Sequence, residues 1–160
     1  MKKIIVAFTG PSNSGKTTLI VKLSEILQSQ KYKVCIIKHD PKDKAIFDKE
    51  GKDSYKFSQT GADVAVVSPS RTTIFKQNET KIDEVIQMLG DFDYLFIEGL
   101  KSLDFRRIGV FRNSIEKDYL NFINALAIDE SINKEEIPQN LICLDLNNPQ
   151  NIINWIDNKN

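Results

Sequence analysis

Eight residues carry the strongest chemical signal in the chain. Gly10-Pro11-Ser12-Asn13-Ser14-Gly15-Lys16-Thr17 has the spacing G-x-x-x-x-G-K-[ST], the pattern of a loop that wraps an anion in its own backbone N–H groups. Each position has a job in that chemistry. Gly10 and Gly15 allow sharp turns and a close backbone approach. The N–H groups of Ser12, Asn13, Ser14 and Gly15 supply the cradle. Lys16 reaches the terminal phosphates, and the Thr17 hydroxyl is a hard oxygen ligand for Mg²⁺. Thr18 adds a further N–H at the positive end of the helix that must begin here.

A carboxylate is needed near such a loop to hold the cation. Tyr94-Leu95-Phe96-Ile97-Glu98 is an apolar run that ends in an acid. An acid at the carboxyl end of a buried strand is where nucleotide hydrolases with this loop hold Mg²⁺, directly or through water. Lys16 and Glu98 are therefore the candidate catalytic pair, and Thr17 and Glu98 the candidate metal ligands. Asp93 lies at the other end of that run and is expected to be remote. Lys38-His39-Asp40 follows another apolar run, and His39 is the single histidine of the chain. A lone histidine is ordinarily structural or solvated, but this one stands at a strand's carboxyl end, where open α/β sheets bind ligands. Ala125-Leu126-Ala127-Ile128-Asp129 repeats the run-then-acid pattern, so Asp129 is either an acceptor for a purine edge or a cap for the following turn. Arg106, Arg107 and Arg112 surround Ile108-Gly109-Val110-Phe111. They read as a solvated basic rim or as a source of one phosphate-binding arginine.

The elements that must position these residues alternate in type. Lys3 to Phe8 reads as a buried strand, Thr17 to Gln30 as an amphipathic helix through Leu19, Ile20, Leu23, Ile26 and Leu27, and Lys33 to Lys38 as a second buried strand. That is a βαβ unit with a right-handed crossover. Pro41 to Glu50 is charged and aperiodic and reads as a loop, a candidate switch segment or lid. A short helix follows Gly51, with Asp53 or Ser54 as its cap. Strands at Asp63 to Ser68 and Thr72 to Lys76 are close enough to pair as a hairpin. A helix over Lys81 to Leu89, strands at Phe105 to Arg112 and Leu141 to Leu144, and a closing helix after Pro149 complete the pattern. The expectation is an α/β fold of the phosphate-loop class: a mostly parallel sheet flanked by helices with a small antiparallel excursion. A length of 160 residues predicts one nucleotide-binding domain over 1–160.

Composition excludes some classes of function. Positive and negative side chains balance at 22 each, so no global field marks a nucleic-acid or membrane surface. The apolar run after Met1-Lys2-Lys3 stops at Thr9, too short for the apolar core of a signal peptide. Cys35 and Cys143 sit in apolar runs without metal-ligand spacing and read as buried, reduced thiols, which fits a cytoplasmic setting.

Taken together, the stretches Gly10 to Thr18, Val34 to Asp40, Gly51 to Tyr55, Thr60 to Val64, Phe96 to Lys101 and Ile108 to Arg112 resemble the MobB family, the adapter GTPases of molybdopterin-guanine dinucleotide synthesis. The ordered set K-H-D, G-K-D-S, G-A and E-G-x-K carries that resemblance more specifically than the phosphate loop does. It implies GTP with Mg²⁺, weak hydrolysis at most, a homodimer, and assistance to the MobA-like guanylyltransferase that joins GMP to molybdopterin. Gly10 to Thr18 and Glu98 carry their roles over directly. Lys38, His39 and Asp40 match the family's segment after the second strand, but Pro41-Lys42 stands where the family often continues with histidines. A small-molecule kinase on the same core is the alternative, although no catalytic base is evident. A metal-insertion GTPase would need a Cys/His cluster that this chain lacks.

Overall fold

The computed structural model describes residues 2–158. These divide into two compact units, one built from the chain up to His39 and from Asp91 onward, the other from Asp40–Gly90.

The first unit is a six-stranded sheet with a single connected logic. Its strands are β1 (Ile4–Thr9), β2 (Val34–Lys38), β5 (Tyr94–Glu98), β6 (Arg107–Phe111), β7 (Ala125–Ile128) and β8 (Ile142–Asp145). Their order is β2-β5-β1-β6-β7-β8, and every neighbouring pair is parallel. All carboxyl ends therefore share one edge. From β1 the chain goes first to the β5/β2 side and later to the β6–β8 side, so the end of β1 lies where the winding reverses.

Helices cover this sheet because its strands alternate in period two. Val6, Phe8, Tyr94, Phe96, Ile108 and Val110 form one core with Leu19, Leu23 and Leu27 of α1 (Lys16–Ser29) and Ile152, Ile153 and Ile156 of α4 (Pro149–Asp157). Phe111 and Leu126 belong to a second core with Tyr119, Ile123 and Ile132. The α4 helix has Pro149 in its first turn, and the Asn148 side chain accepts from Asn151 N–H at 3.1 Å, which satisfies one of the orphan donors of that turn. Two 3₁₀ segments, Lys117–Phe122 and Lys134–Glu136, have no counterpart in the sequence expectation.

The second unit contains α2 (Asp53–Ser58), β3 (Val64–Val67), β4 (Thr72–Phe75) and α3 (Ile82–Leu89). Strands β3 and β4 pair antiparallel, with Val64 opposite Phe75 and Val67 opposite Thr72. This is the expected excursion. Asp63 locks its open end: Lys76 Nζ and Gln77 N–H donate to its two oxygens at 2.8 and 2.9 Å.

Three local expectations need correction. Strand β2 is not buried; it is a sheet edge, and Ile36 is 46% exposed. Cys143, on the opposite edge strand, is exposed and Cys35 only half-buried. Neither Asp53 nor Ser54 caps α2: the cap position is Lys52, and Ser54 Oγ instead donates to Asp48 at 2.9 Å.

Candidate functional site

The loop after β1 is shaped by close backbone packing. Gly10 has φ +142, and a Cβ there would lie 2.2 Å from the Val110 carbonyl oxygen. Only glycine lets the chain leave β1 this close to β6. Asn13 (φ 63) and Gly15 (φ 96) then adopt left-handed conformations on either side of Ser14, an alternation that turns successive N–H groups toward one point. Asparagine tolerates this region better than most residues. Among the described residues, the N–H groups of Ser12, Asn13 and Gly15 donate to no protein acceptor. Helix α1 starts directly afterwards at Lys16, so the unpaired N–H groups of Lys16, Thr17 and Thr18 extend the same concavity.

Lys16 folds back over the loop. Its Nζ donates to the carbonyls of Gly10 at 3.0 Å and Pro11 at 2.5 Å, with Ser14 Oγ at 3.5 Å. Burial holds its pKa below the usual lysine value; the charge of Glu98 opposes that shift, and Lys101 and Lys38 add to it. Several cations therefore surround the loop, a field that favours a multiply charged anion.

Thr17 and Glu98 meet. The Thr17 hydroxyl donates toward both Glu98 oxygens, at 3.1 and 3.3 Å. Glu98 is the last residue of β5, in register with Phe8 of β1 and Lys38 of β2. The strand ends are tied around it: Gly99 N–H donates to Phe8 O at 3.0 Å, and His39 N–H to Glu98 O at 3.0 Å. Gly99 has φ +97, and a Cβ there would approach the His39 Cβ to 3.1 Å. The K-H and E-G pairs, separate in sequence, are thus one packed unit. Asp93 lies at the other end of β5, accepting the N–H groups of Lys2 and Lys33, as expected.

The remaining candidates divide. Asp40 belongs to the second unit, where its carboxylate accepts the N–H groups of Lys42, Lys44 and Ala45. Asp129 is at the edge shared by all strand ends. Its carboxylate accepts from the Ser131 hydroxyl and N–H and pairs with Arg112 Nε at 3.2 Å. The Ser131 hydrogen bond, with help from Arg112, lowers its pKa from the usual carboxylate value. Arg107 is 1% exposed and donates to the carbonyls of Gly99, Leu100 and Leu103 at 2.7, 2.8 and 2.9 Å. It braces the segment that follows Glu98. Lys101 rests over the Tyr119 ring at 3.7 Å, a cation–π contact. The sequence reading missed the roles of Arg107 and Lys101. The only signal for Lys101 was its place in E-G-L-K.

These residues fit a nucleotide phosphate chain with Mg²⁺. The cradle is left-handed where it must be, and the converging side-chain oxygens, one hydroxyl and one carboxylate, are hard donors. Among the described residues no group of three or more His, Cys, Asp or Glu side chains is arranged to hold a metal. No helix among the described residues is long and apolar enough to cross a membrane.

Comparison with known proteins converges on one family. The family model described as molybdopterin guanine dinucleotide synthesis protein B matches residues 5–129. A protein of Methanocaldococcus jannaschii, provisionally named a molybdopterin-guanine dinucleotide biosynthesis adapter protein, is 30% identical over 132 residues, covering 79% of this chain and 55% of that protein. This chain thus spans about half the length of that relative. The Escherichia coli molybdopterin-guanine dinucleotide biosynthesis adapter protein is 28% identical, covering 98% of this chain and 95% of its own. The crystal structure of Bacillus subtilis MobB superposes with a TM-score of 0.75 at 24% identity, covering 98% of both chains; it supports the fold.

Proposed function

This chain belongs to the MobB family of molybdopterin-guanine dinucleotide biosynthesis adapters, and from that premise we propose that it binds GTP with Mg²⁺, hydrolyses it weakly at most, and assists the guanylyltransferase that attaches GMP to molybdopterin. The observation that carries the nucleotide half of this reading is the contact between Thr17 and Glu98 beside the cradle. A hydroxyl from the first turn of α1 and a carboxylate from the end of β5 are brought to one point beside the cradle, where they would hold Mg²⁺ and supply charge neutralisation to the phosphates.

The roles follow from the residues. Gly10 to Thr18 form the loop that binds and orients the phosphates, through the N–H groups from Ser12 onward. Lys16 supplies the main side-chain cation, and Thr17 and Glu98 would hold Mg²⁺. When bound, the cation neutralises charge on the phosphate oxygens. Lys38 and His39 frame Glu98, and Asp40 begins the segment that leaves the sheet. No side chain in this set is placed as an evident base to activate water, which supports slow turnover and an adapter role. We read the chain as one functional nucleotide-binding protein acting as a cytoplasmic homodimer, with the guanylyltransferase as its partner.

The test is calorimetric titration with GTP and ATP, each with and without Mg²⁺, followed by co-purification with the guanylyltransferase. GTP preference, slow turnover and a stable complex are expected. A preference for ATP, or no complex in any nucleotide state, would overturn the reading.

A further inference from the structure

We infer that Arg112 is a phosphate-binding residue of the loop and that Asp129 is the positioning residue that aims it. The inference rests on the nucleotide reading above and adds a cationic contact on the opposite flank of the loop from Glu98.

The three arginines around β6 are alike in sequence and different in space. Arg106 donates through both terminal nitrogens, to Ile156 O at 3.2 Å and Trp155 O at 3.0 Å, with its guanidinium 3.6 Å over the Trp155 ring. Arg107 donates to three carbonyls. Both are engaged in the scaffold. Arg112 is not used in that way. Its Nε pairs with Asp129 at 3.2 Å, and its side chain is 44% exposed. Among the described residues its terminal nitrogens donate to no protein acceptor.

The location of that guanidinium is the decisive fact. A Cβ built on Gly15 would lie 3.5 Å from Arg112 Nε, 3.7 Å from Cζ and 3.8 Å from Nη2. The guanidinium therefore packs on the face of the glycine that precedes Lys16, at the closing edge of the cradle. Asp129 fixes it there. Its own carboxylate is held by the Ser131 N–H and hydroxyl, and Ser131 Oγ accepts Asn113 N–H at 2.7 Å. This chain of contacts joins the ends of β6 and β7, whose last residues, Phe111 and Ile128, are register partners.

With the ion pair made through Nε, the fork of the two terminal nitrogens has no hydrogen-bond acceptor among the described residues. That fork matches two oxygens of a phosphate group, and being held beforehand lowers the ordering cost of binding. The Thr17–Glu98 pair stands on the β5 side of β1 and Arg112 on the β6 side. A polyphosphate in the loop would be gripped from both flanks. The same geometry assigns Asp129 to Arg112 and not to a purine edge.

The experiment titrates the full chain with GTP and, separately, with inorganic tripolyphosphate, which has no nucleoside. Wild type, Arg112→Gln, Arg112→Lys, Asp129→Asn and the double variant Arg112→Gln/Asp129→Asn are compared, each checked by thermal unfolding. Arg112→Gln should weaken both ligands by about tenfold or more, the scale of a lost charge-assisted hydrogen bond. Arg112→Lys should recover part of that loss. Asp129→Asn should weaken both several-fold, and the double variant should bind no worse than Arg112→Gln, because Asp129 acts through Arg112. Unchanged binding by Arg112→Gln would overturn the inference, as would weaker GTP binding with unchanged tripolyphosphate binding. Wild-type affinity in Asp129→Asn would overturn the positioning role. A wild-type chain that binds neither ligand would instead defeat the nucleotide reading itself.

Discussion

The hydroxyl of Thr17 and the carboxylate of Glu98, 81 residues apart in sequence, are in hydrogen-bond contact at 3.1 and 3.3 Å. The contact exists because β1 and β5 are parallel neighbours whose ends coincide. One element delivers the phosphate loop and the other delivers the acid.

That pairing makes Glu98→Gln a clean substitution. It keeps size and removes charge. The Mg²⁺-dependent part of nucleotide affinity should fall by about tenfold, roughly 1.4 kcal/mol. Affinity measured in a chelator should stay as in wild type. An unchanged Mg²⁺ titration would remove Glu98 from the cation site.

Lys16→Ala should reduce nucleotide affinity at least as much, with or without Mg²⁺, since Nζ lies at the mouth of the loop on the carbonyls of Gly10 and Pro11. Charge-assisted contacts to phosphate are worth about 1.5–3 kcal/mol each. Equilibrium dialysis against labelled GTP reads the loss directly; full retention would contradict the loop's role.

Gly10→Ala should be a folding defect before it is a binding defect. Its Cβ would overlap the Val110 carbonyl at 2.2 Å, and φ +142 is unfavourable for alanine. Moving β6 away from β1 should cost about 3 kcal/mol or more. Urea unfolding of the purified variant measures it, and wild-type stability would show that the two strand ends can separate freely.

Arg107→Met should destabilise the chain by about 2–4 kcal/mol, because three half-buried carbonyls lose their buried donor together. Nucleotide titration under conditions where the variant is folded should show a weaker Mg²⁺ effect, since the segment after Glu98 loses its brace. A variant as stable as wild type would mean that the carbonyls find other donors.

The amino end of the sheet carries a pH dependence. Lys2 Nζ donates to Tyr94 Oη at 2.6 Å and Asp157 at 2.9 Å, and Tyr94 Oη donates to Asp157 at 2.7 Å. Burial, reinforced by Asp157, pushes the Tyr94 pKa up from 10.0 to about 12. The hydrogen bonds to Tyr94 and Asp157 raise that of Lys2 as well. The folded state holds both protons more tightly than the unfolded chain, so their stabilisation is complete below about pH 10 and is lost as pH rises above it. Urea midpoints at about pH 8 and about pH 11 should differ in wild type and differ less in Tyr94→Phe. The same midpoint difference in both proteins would show that this cluster does not set the alkaline limit.

Much of the site was legible because it is local in sequence. The loop pattern needs only consecutive residues, and Glu98 announces itself as an acid after four apolar positions. What was not legible depends on strand order. Residues Val34–Lys38 and Tyr94–Glu98 look equally apolar, yet the first is an edge and the second lies inside the sheet. Arg106, Arg107 and Arg112 form one basic cluster in sequence. Only the packing of α4, the segment after Glu98 and Gly15 separates a helix clamp, a buried brace and an exposed guanidinium. Asp129 was found as a strand-end acid, but its partners come from Arg112 and Ser131, and composition cannot show that.

Between His39 and Asp91 the chain makes its excursion, leaving the sheet at the carboxyl ends of its strands and rejoining it at their amino ends. His39 N–H is fixed to Glu98 O, while Asp93 N–H is fixed to Lys33 O at 2.9 Å. The strands so joined are direct neighbours. Any lineage that shortened the excursion would still need enough chain to travel back along one strand length, about 17 Å for five residues. Within that lower bound, the interval 40–90 is open to insertion, replacement or trimming at little cost to the pairing that presents Glu98. Natural variation in length is expected to accumulate there, and a designer seeking a place to splice in a new recognition module would begin with it.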